Sequence, residues 1–205
     1  MPSKLTLSAK VAIIGAGPLG RWLALSAARA GFRVLLEDVM PANLHHAQEY
    51  IRGQLVPDGR KNAGPTTTVA KATSAQDDSV MIGVAYVSTI EDAVREADLA
   101  IDCVPDELES KLEILWLLDR MAPPRTVFAT PTTRLSIVDL AGCTYRPEKC
   151  VAIAAEARDL AGNSNAEILL RTTAQTTPET VALVENFWRR LGFTPTFENE
   201  GRADS

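Results

Sequence analysis

Apolar residues in this chain fall into short continuous runs that alternate with stretches spaced near 3.6 residues, which is the signature of strands alternating with helices. The strand-like runs are Val11-Ala-Ile-Ile14, Phe32 to Leu36, Met81 to Val87, Leu99 to Val104, Thr126 to Thr130, Cys150 to Ala155, Ala166 to Thr172 and Phe193 to Phe197. Between them lie helical patterns. One runs from Gly20 to Gly31, and Pro41 to Gly53 carries Leu44, Ala47 and Ile51 on one face. Asp106 to Met121 carries Leu108, Leu112, Leu115 and Leu118, and Pro123-Pro124 stops it. Ile90 to Glu96 and Leu135 to Leu140 are shorter helices, and Pro178 to Leu191 is opened by a Thr-Pro-Glu signal. The alternation predicts an α/β protein with a mostly parallel, doubly wound sheet and a ligand outside the C-terminal ends of the strands.

The first of these units carries the chemistry. It reads Lys10-Val-Ala-Ile-Ile-Gly15-Ala16-Gly17-Pro18-Leu19-Gly20, then a helix, then a second apolar run that closes on Asp38. Strand, glycine turn, helix, strand and acid form the order that a dinucleotide-binding βαβ unit requires. Gly15 is expected to make the tight turn, Gly17 to let backbone N–H groups approach a pyrophosphate, and Gly20 to let helix and strand pack closely. The phosphates would sit on the positive end of the helix, and Pro18 falls in its first turn, where its missing N–H has no intrahelical partner. Asp38 follows the turn at about the 20-residue offset of the acid that accepts from the adenosine ribose. Its charge repels a 2′-phosphate, so the expected cofactor is NAD rather than NADP. These features predict a Rossmann-type fold.

The 205 residues, 46% hydrophobic and 23% charged, allow one sizeable α/β core, so residues 1–205 are expected to form a single domain with no second one. From Gln54 to Ser79 the composition shifts to Pro, Gly, Thr, Ser, Asp and Asn, and a long mobile loop is expected there, acting as a lid or merely as slack. A net charge of −5 without a Lys/Arg run argues against nucleic acid and against an anionic membrane surface, leaving small molecules and protein as partners. Three cysteines without metal-type spacing, and an N-terminus without the apolar core of a signal peptide, predict a cytoplasmic protein with reduced thiols. The only two histidines, His45 and His46, are adjacent, and neighbours in sequence cannot share a helix face, so no metal site is expected.

The motifs resemble the N-terminal domain of the 3-hydroxyacyl-CoA dehydrogenases. The likeness runs from Lys10 to about Pro195 and rests on ordered matches. These are the glycine turn, Ala28-x-Ala-Gly31, Asp38, Ala97-Asp98-Leu-x-Ile-Asp-x-Val-Pro105, Leu108-x-x-Lys111, Thr132-Thr-x-Leu-Ser-Ile137 and Arg146-Pro-Glu148. They continue in Thr177-Pro-Glu-Thr-Val-x-x-Val184 and Leu191-Gly-Phe-Thr-Pro195. The resemblance implies that a histidine oriented by a glutamate takes the proton of a 3-hydroxyl while hydride passes to the nicotinamide, with a serine and an asparagine holding the substrate oxygen. Carried over, Lys111 serves the nicotinamide side, the glutamate falls on Asp106 and the serine on Thr133.

Two positions depart from that pattern. Ala154 stands where the histidine should be and Ala157 where the asparagine should be, and neither methyl group can move a proton. Glu156, or His45 or His46 reaching over from its helix, could supply a base. Trp22 follows the glycine turn where the family has a small residue. The family's cleft lies between this domain and a following helical domain that also forms its dimer, so a second copy or a partner chain is expected to supply the other wall for an acyl-CoA. Three functions remain open. They are a dehydrogenase of the hydroxyacyl-CoA type with weakened chemistry, a catalytically silent NAD-binding sensor or partner subunit, and a generic single-domain NAD-dependent reductase.

Overall fold

A computed structural model describes residues 9–55, 83–155, 160 and 166–201. Their strands are β1 (Lys10–Ile14), β2 (Arg33–Glu37), β3 (Val84–Val87), β4 (Leu99–Asp102), β5 (Val127–Pro131), β6 (Cys150–Ile153), β7 (Glu167–Thr173) and β8 (Thr194–Glu200). The helices are α1 (Pro18–Arg29), α2 (Pro41–Gln54), α3 (Ile90–Val94), α4 (Leu108–Met121), α5 (Ile137–Gly142) and α6 (Pro178–Arg190), with a 3₁₀ turn at Pro147–Lys149. Each predicted element among the described residues is present. The loop expected over Gln54 to Ser79 lies, beyond Leu55, outside them. Among the described residues no helix is long and apolar enough to cross a membrane.

The strands form one sheet in the order β3-β2-β1-β4-β5-β6-β7-β8, parallel except where β7 runs antiparallel to β6. Because every central strand is covered on both faces, its side chains split by parity into two cores. Val11, Ile13, Leu99, Ile101, Val127, Ala129, Val151 and Ile153 meet α1, α2 and α6 on one face. Ala12, Ile14, Ala100, Phe128, Cys150 and Ala152 meet α3, α4 and α5 on the other. The first core is closed by an aromatic chain in which Phe32, Phe187, Trp188 and Phe193 follow one another at centroid separations of 5.3 to 5.5 Å. Trp22 joins it edge-on to Phe193 at 6.0 Å, so its indole lies in the α1–α6 seam.

Local chemistry explains the differences from the predicted boundaries. α4 starts at Leu108 rather than Asp106, whose carboxylate is engaged elsewhere, and α5 starts at Ile137 because the Ser136 hydroxyl accepts from the Val138 N–H as an N-cap. β8 runs on to Glu200 through polar residues because it is an edge strand whose outer face meets solvent.

The sheet order reverses between β1 and β4, and β1 turns there through Gly15, whose φ of +100° is open to glycine but strained for other residues. α1 then starts so close to that turn that a Cβ on Gly20 would lie 1.8 Å from the Gly15 carbonyl oxygen. Gly20→Ala must force α1 off the sheet. We expect a loss of about 3 kcal/mol, read as a fall of roughly 10 °C in Tm, whereas Gly17→Ala should leave Tm unchanged because a Cβ there meets nothing within 4 Å.

Beneath the same strand ends, Lys111 of α4 and Asp102 of β4 form an ion pair at 2.6 Å with side chains 1% and 0% exposed. Burial pushes the Asp102 carboxyl above its usual range while the Lys111 ammonium pulls it back. Removing one partner strands the other in a medium that cannot solvate it. Lys111→Met should cost about 3–5 kcal/mol in denaturant unfolding, and Lys111→Met with Asp102→Leu should recover most of that.

Candidate functional site

At the switch point between β1 and β4 the strand ends open into a cleft of about 490 Å³. One end is the turn Gly15, Gly17 and Pro18, and the side is Asp38, Val39 and Asn43. The remaining wall is Ile14, Glu37, Ile90, Cys103, Val104, Pro105 and Ile114. The three glycines differ in their surroundings, and Gly15 and Gly20 make the turn and the close helix approach expected of them. Gly15 turns the chain, with its Cβ position 3.1 Å from the Cys103 carbonyl oxygen; Gly20 admits the helix; Gly17 faces open space beside the helix N-terminus. Gly17 is the N-cap with no side-chain cap, Pro18 follows as the first helical residue, and the first turn of α1 holds no acid. The N–H groups of Leu19 and Gly20 lack intrahelical acceptors by position and stand at the positive helix end, a cradle suited to a pyrophosphate.

Ala16 has a different role from the rest of the turn. Its N–H donates to Asp38 Oδ2 at 2.9 Å, so it braces the turn. The other oxygen of Asp38 accepts from the Met40 N–H at 2.9 Å, and the Asn43 amide lies 3.1 Å from both. A carboxylate that is 8% exposed is thereby held as a fixed anion at the end of β2, one turn from the phosphate cradle, where a ribose would arrive. The cleft thus fits a dinucleotide: backbone donors for the phosphates, an oriented anion for the ribose hydroxyls, apolar walls for a base.

The residues expected to carry chemistry are only partly brought together. Asp106 and Thr133 meet: Asp106 Oδ2 accepts from the Thr133 N–H at 3.2 Å, and the Arg134 guanidinium reaches the Asp106 carbonyl at 2.9 Å. The Thr133 side chain is exposed at the start of the β5–α5 turn. Thr132 shapes that turn by accepting from the Arg134 and Leu135 N–H groups. Lys111, expected on the nicotinamide side, has its ammonium closed against Asp102 beneath the cleft. Ala154 follows β6, half-buried, with its N–H donated to the Leu169 carbonyl. Glu156 and Ala157 lie outside the described residues.

The two histidines are remote from this corner. His45 lies 3.4 Å from Glu49 on the exposed face of α2, which follows β2, three strand spacings from Thr133. That is about 14 Å, so neither histidine reaches the Thr133 side. Cys103 lines the cleft, and burial pushes its thiol far above the usual range, which favours the neutral form.

Polar residues not singled out from the sequence as site residues also take part. Glu37 and Asn43 line the cleft, and Arg171 and Glu200 hold the Thr133 turn from β7 and β8. Arg171 donates to the Thr132 carbonyl at 2.8 Å and pairs with Glu200, which accepts from the Ser136 hydroxyl and the Ile137 N–H. A charged residue at the last position of an apolar strand was the available signal for Glu37. Nothing local marked the others.

Comparison with known proteins agrees with this geometry. The family described as 3-hydroxyacyl-CoA dehydrogenase, NAD binding domain, matches residues 10–200. A 3-hydroxybutyryl-CoA dehydrogenase of Bradyrhizobium diazoefficiens is 31% identical over 144 residues, 70% of this chain and 46% of the relative. The mitochondrial hydroxyacyl-coenzyme A dehydrogenase of Sus scrofa is 30% identical over 150 residues, 72% of this chain and 46% of the relative. The chain therefore spans about half the length of these relatives. Among solved structures, a diketoreductase described as catalysing dual reactions of dicarbonyl compounds superposes with a TM-score of 0.78 at 28% identity, covering 94% of this chain and 65% of that one. The (S)-3-hydroxybutyryl-CoA dehydrogenase of Ralstonia eutropha gives 0.78 at 23% identity, covering 93% and 63%, a likeness of fold. With the glycine turn, Asp38 and the cleft between β1 and β4 all in place, this chain belongs to the NAD-binding domain family of the 3-hydroxyacyl-CoA dehydrogenases.

Proposed function

We propose that the chain is the NAD-binding part of an oxidoreductase for a 3-hydroxyacyl-CoA or a similar hydroxy acid, and that its hydride transfer on simple 3-hydroxyacyl-CoA substrates is weak. The observation that carries the second half is the methyl group of Ala154 after β6, with its N–H already used by Leu169, where the family's histidine is expected. The cofactor, when bound, supplies the hydride acceptor. The residues of this chain do the rest. Gly17, Leu19 and Gly20 hold the pyrophosphate through backbone N–H groups, Asp38 orients the adenosine ribose, and Thr133 offers a hydroxyl to the substrate oxygen. Asp106 acts on Thr133 from behind, as a positioning residue.

Among the described residues, no histidine stands at the Thr133 corner to take the proton of a reacting hydroxyl. Asp106 accepts from a backbone N–H, so the carboxylate that would orient a base instead fixes the turn. The same observation supports a second reading, a silent NAD-binding sensor or partner subunit, in which Thr133 and Asp106 only shape the cleft edge. An acyl-CoA in either case needs a wall beyond the one these residues form.

Two measurements test these readings. NADH should bind at least tenfold more tightly than NADPH by calorimetry, about 1.4 kcal/mol, and Asp38→Ala should weaken NADH and erase the preference, because it removes the ribose acceptor and unhooks the Ala16 N–H. Equal affinities in the wild type would refute the assignment of Asp38. In steady-state assays on 3-hydroxybutyryl-CoA, Ala154→His with Ala157→Asn should raise kcat by ~10²–10⁴ with NADH affinity unchanged. A brisk wild-type rate, lost in Thr133→Val, would overturn the weakened-chemistry reading, and no gain in the double variant would favour the silent subunit.

A further inference from the structure

Glu37 is the cleft residue whose presence the sheet does not explain. β2 is otherwise apolar after its first residue, and the parity that places Leu35 on the α3–α4 face places Glu37 there too, beside Ile14 in the register of β1. The residue is 5% exposed and lines the cleft with Ile14, Ile90, Val104 and Ile114. Its carboxyl makes no hydrogen bond among the described residues, in contrast to its neighbour Asp38, which has three donors. Asp38 takes the ribose, the glycine turn takes the phosphates, and what lies beyond the ribose in the same cleft is the base. A carboxyl that is neutral presents a donor beside an acceptor, which complements the N1 acceptor and N6 amino donor on the edge of adenine.

We propose that Glu37 is the base-reading residue of the cleft, donating to and accepting from the hydrogen-bonding edge of the cofactor's adenine. The proposal rests on the NAD assignment and adds to it a pH-dependent contact on the adenine half. Burial, reinforced by the Asp38 charge, pushes the Glu37 carboxyl up to about 7. Among the described residues, the other groups around it do not compete for its proton. Asp102 lies on the same sheet face two strands away and is matched by Lys111. The Cys103 thiol is neutral, and Glu91 and Asp92 of α3 are exposed and paired with Arg95. Val87, beside Glu37 on β3, and Asn43 of α2 carry no charge.

The sign follows from which form binds. Neutral Glu37 binds and ionised Glu37 repels the N1 acceptor, so affinity is full below the carboxyl's pKa and falls above it. The probe is ADP-ribose, which carries the adenine half and no nicotinamide, titrated calorimetrically into the full chain from pH 6 to pH 8.5. Wild-type affinity should fall at least tenfold over that range. Glu37→Gln, which keeps a donor and an acceptor without titrating, should hold the pH 6 affinity within a few fold and show no slope. Glu37→Leu should bind about fivefold more weakly than wild type at pH 6, the loss of one or two hydrogen bonds, also without slope. A flat wild-type profile, or a slope that persists in Glu37→Gln, overturns the proposal. So does Glu37→Leu binding as tightly as wild type at pH 6, which would mean that ionised Glu37 only repels phosphate. A wild type that fails to bind ADP-ribose at any pH overturns the cofactor reading itself, and the proposal with it.

Discussion

The close approach of α1 to the end of β1 is the constraint on which the rest of the site depends. A Cβ on Gly20 would collide with the Gly15 carbonyl and one on Gly15 would crowd the Cys103 carbonyl, so the ends of β1 and β4 and the start of α1 converge closely. The helix N-terminus is thereby aimed at the point where the strand order reverses, and its direction is a property of backbone rather than of any side chain.

Polar groups in this protein collect at the same edge. Glu37, Asp38, Asp102, Thr130 and Thr132 are all buried at or just past the C-terminal ends of β2, β4 and β5, whereas the strands below them are almost wholly apolar. Each such group costs stability unless it is partnered. Asp38 is repaid by the two backbone N–H groups and amide that it organises, and Asp102 by Lys111. Glu37 has no such partner among the described residues, and burial beside the Asp38 charge pushes its carboxyl up to about 7. The sheet end is therefore less stable than it would be if apolar, and that concession is where binding chemistry resides.

The Thr133 turn is braced from a different direction. β7 leaves the parallel pattern, and its Arg171 crosses to the Thr132 carbonyl while Glu200 at the end of β8 caps α5. The last two strands thus fix the turn that carries Thr133, while Asp106 fixes it from the β4 side. Rigidity there serves a binding edge as well as it serves a reacting one, which is why the identity of residue 154 weighs so heavily in assigning chemistry.

The strands, helices and glycine turn were legible in the chain because they are written in local periodicity. Two-residue alternation, 3.6-residue spacing and Gly15, Gly17 and Gly20 are short-range patterns, and the acid that belongs with them, Asp38, sits at a fixed offset in the next strand. Element ends were less legible because Ser136 and Asp106 are decided by particular hydrogen bonds. Only the tertiary structure decided that Lys111 faces Asp102, that Ala16 gives its N–H to Asp38, that β7 runs against β6, and that Arg171 and Glu200 hold the Thr133 turn. Those are contacts between residues brought together by sheet order, and a periodic pattern carries no information about which strand end will lie beside which. Glu37 stands between the two cases: its charge was visible at the close of an apolar run, but that it points into a cleft depends on the strands on either side of it.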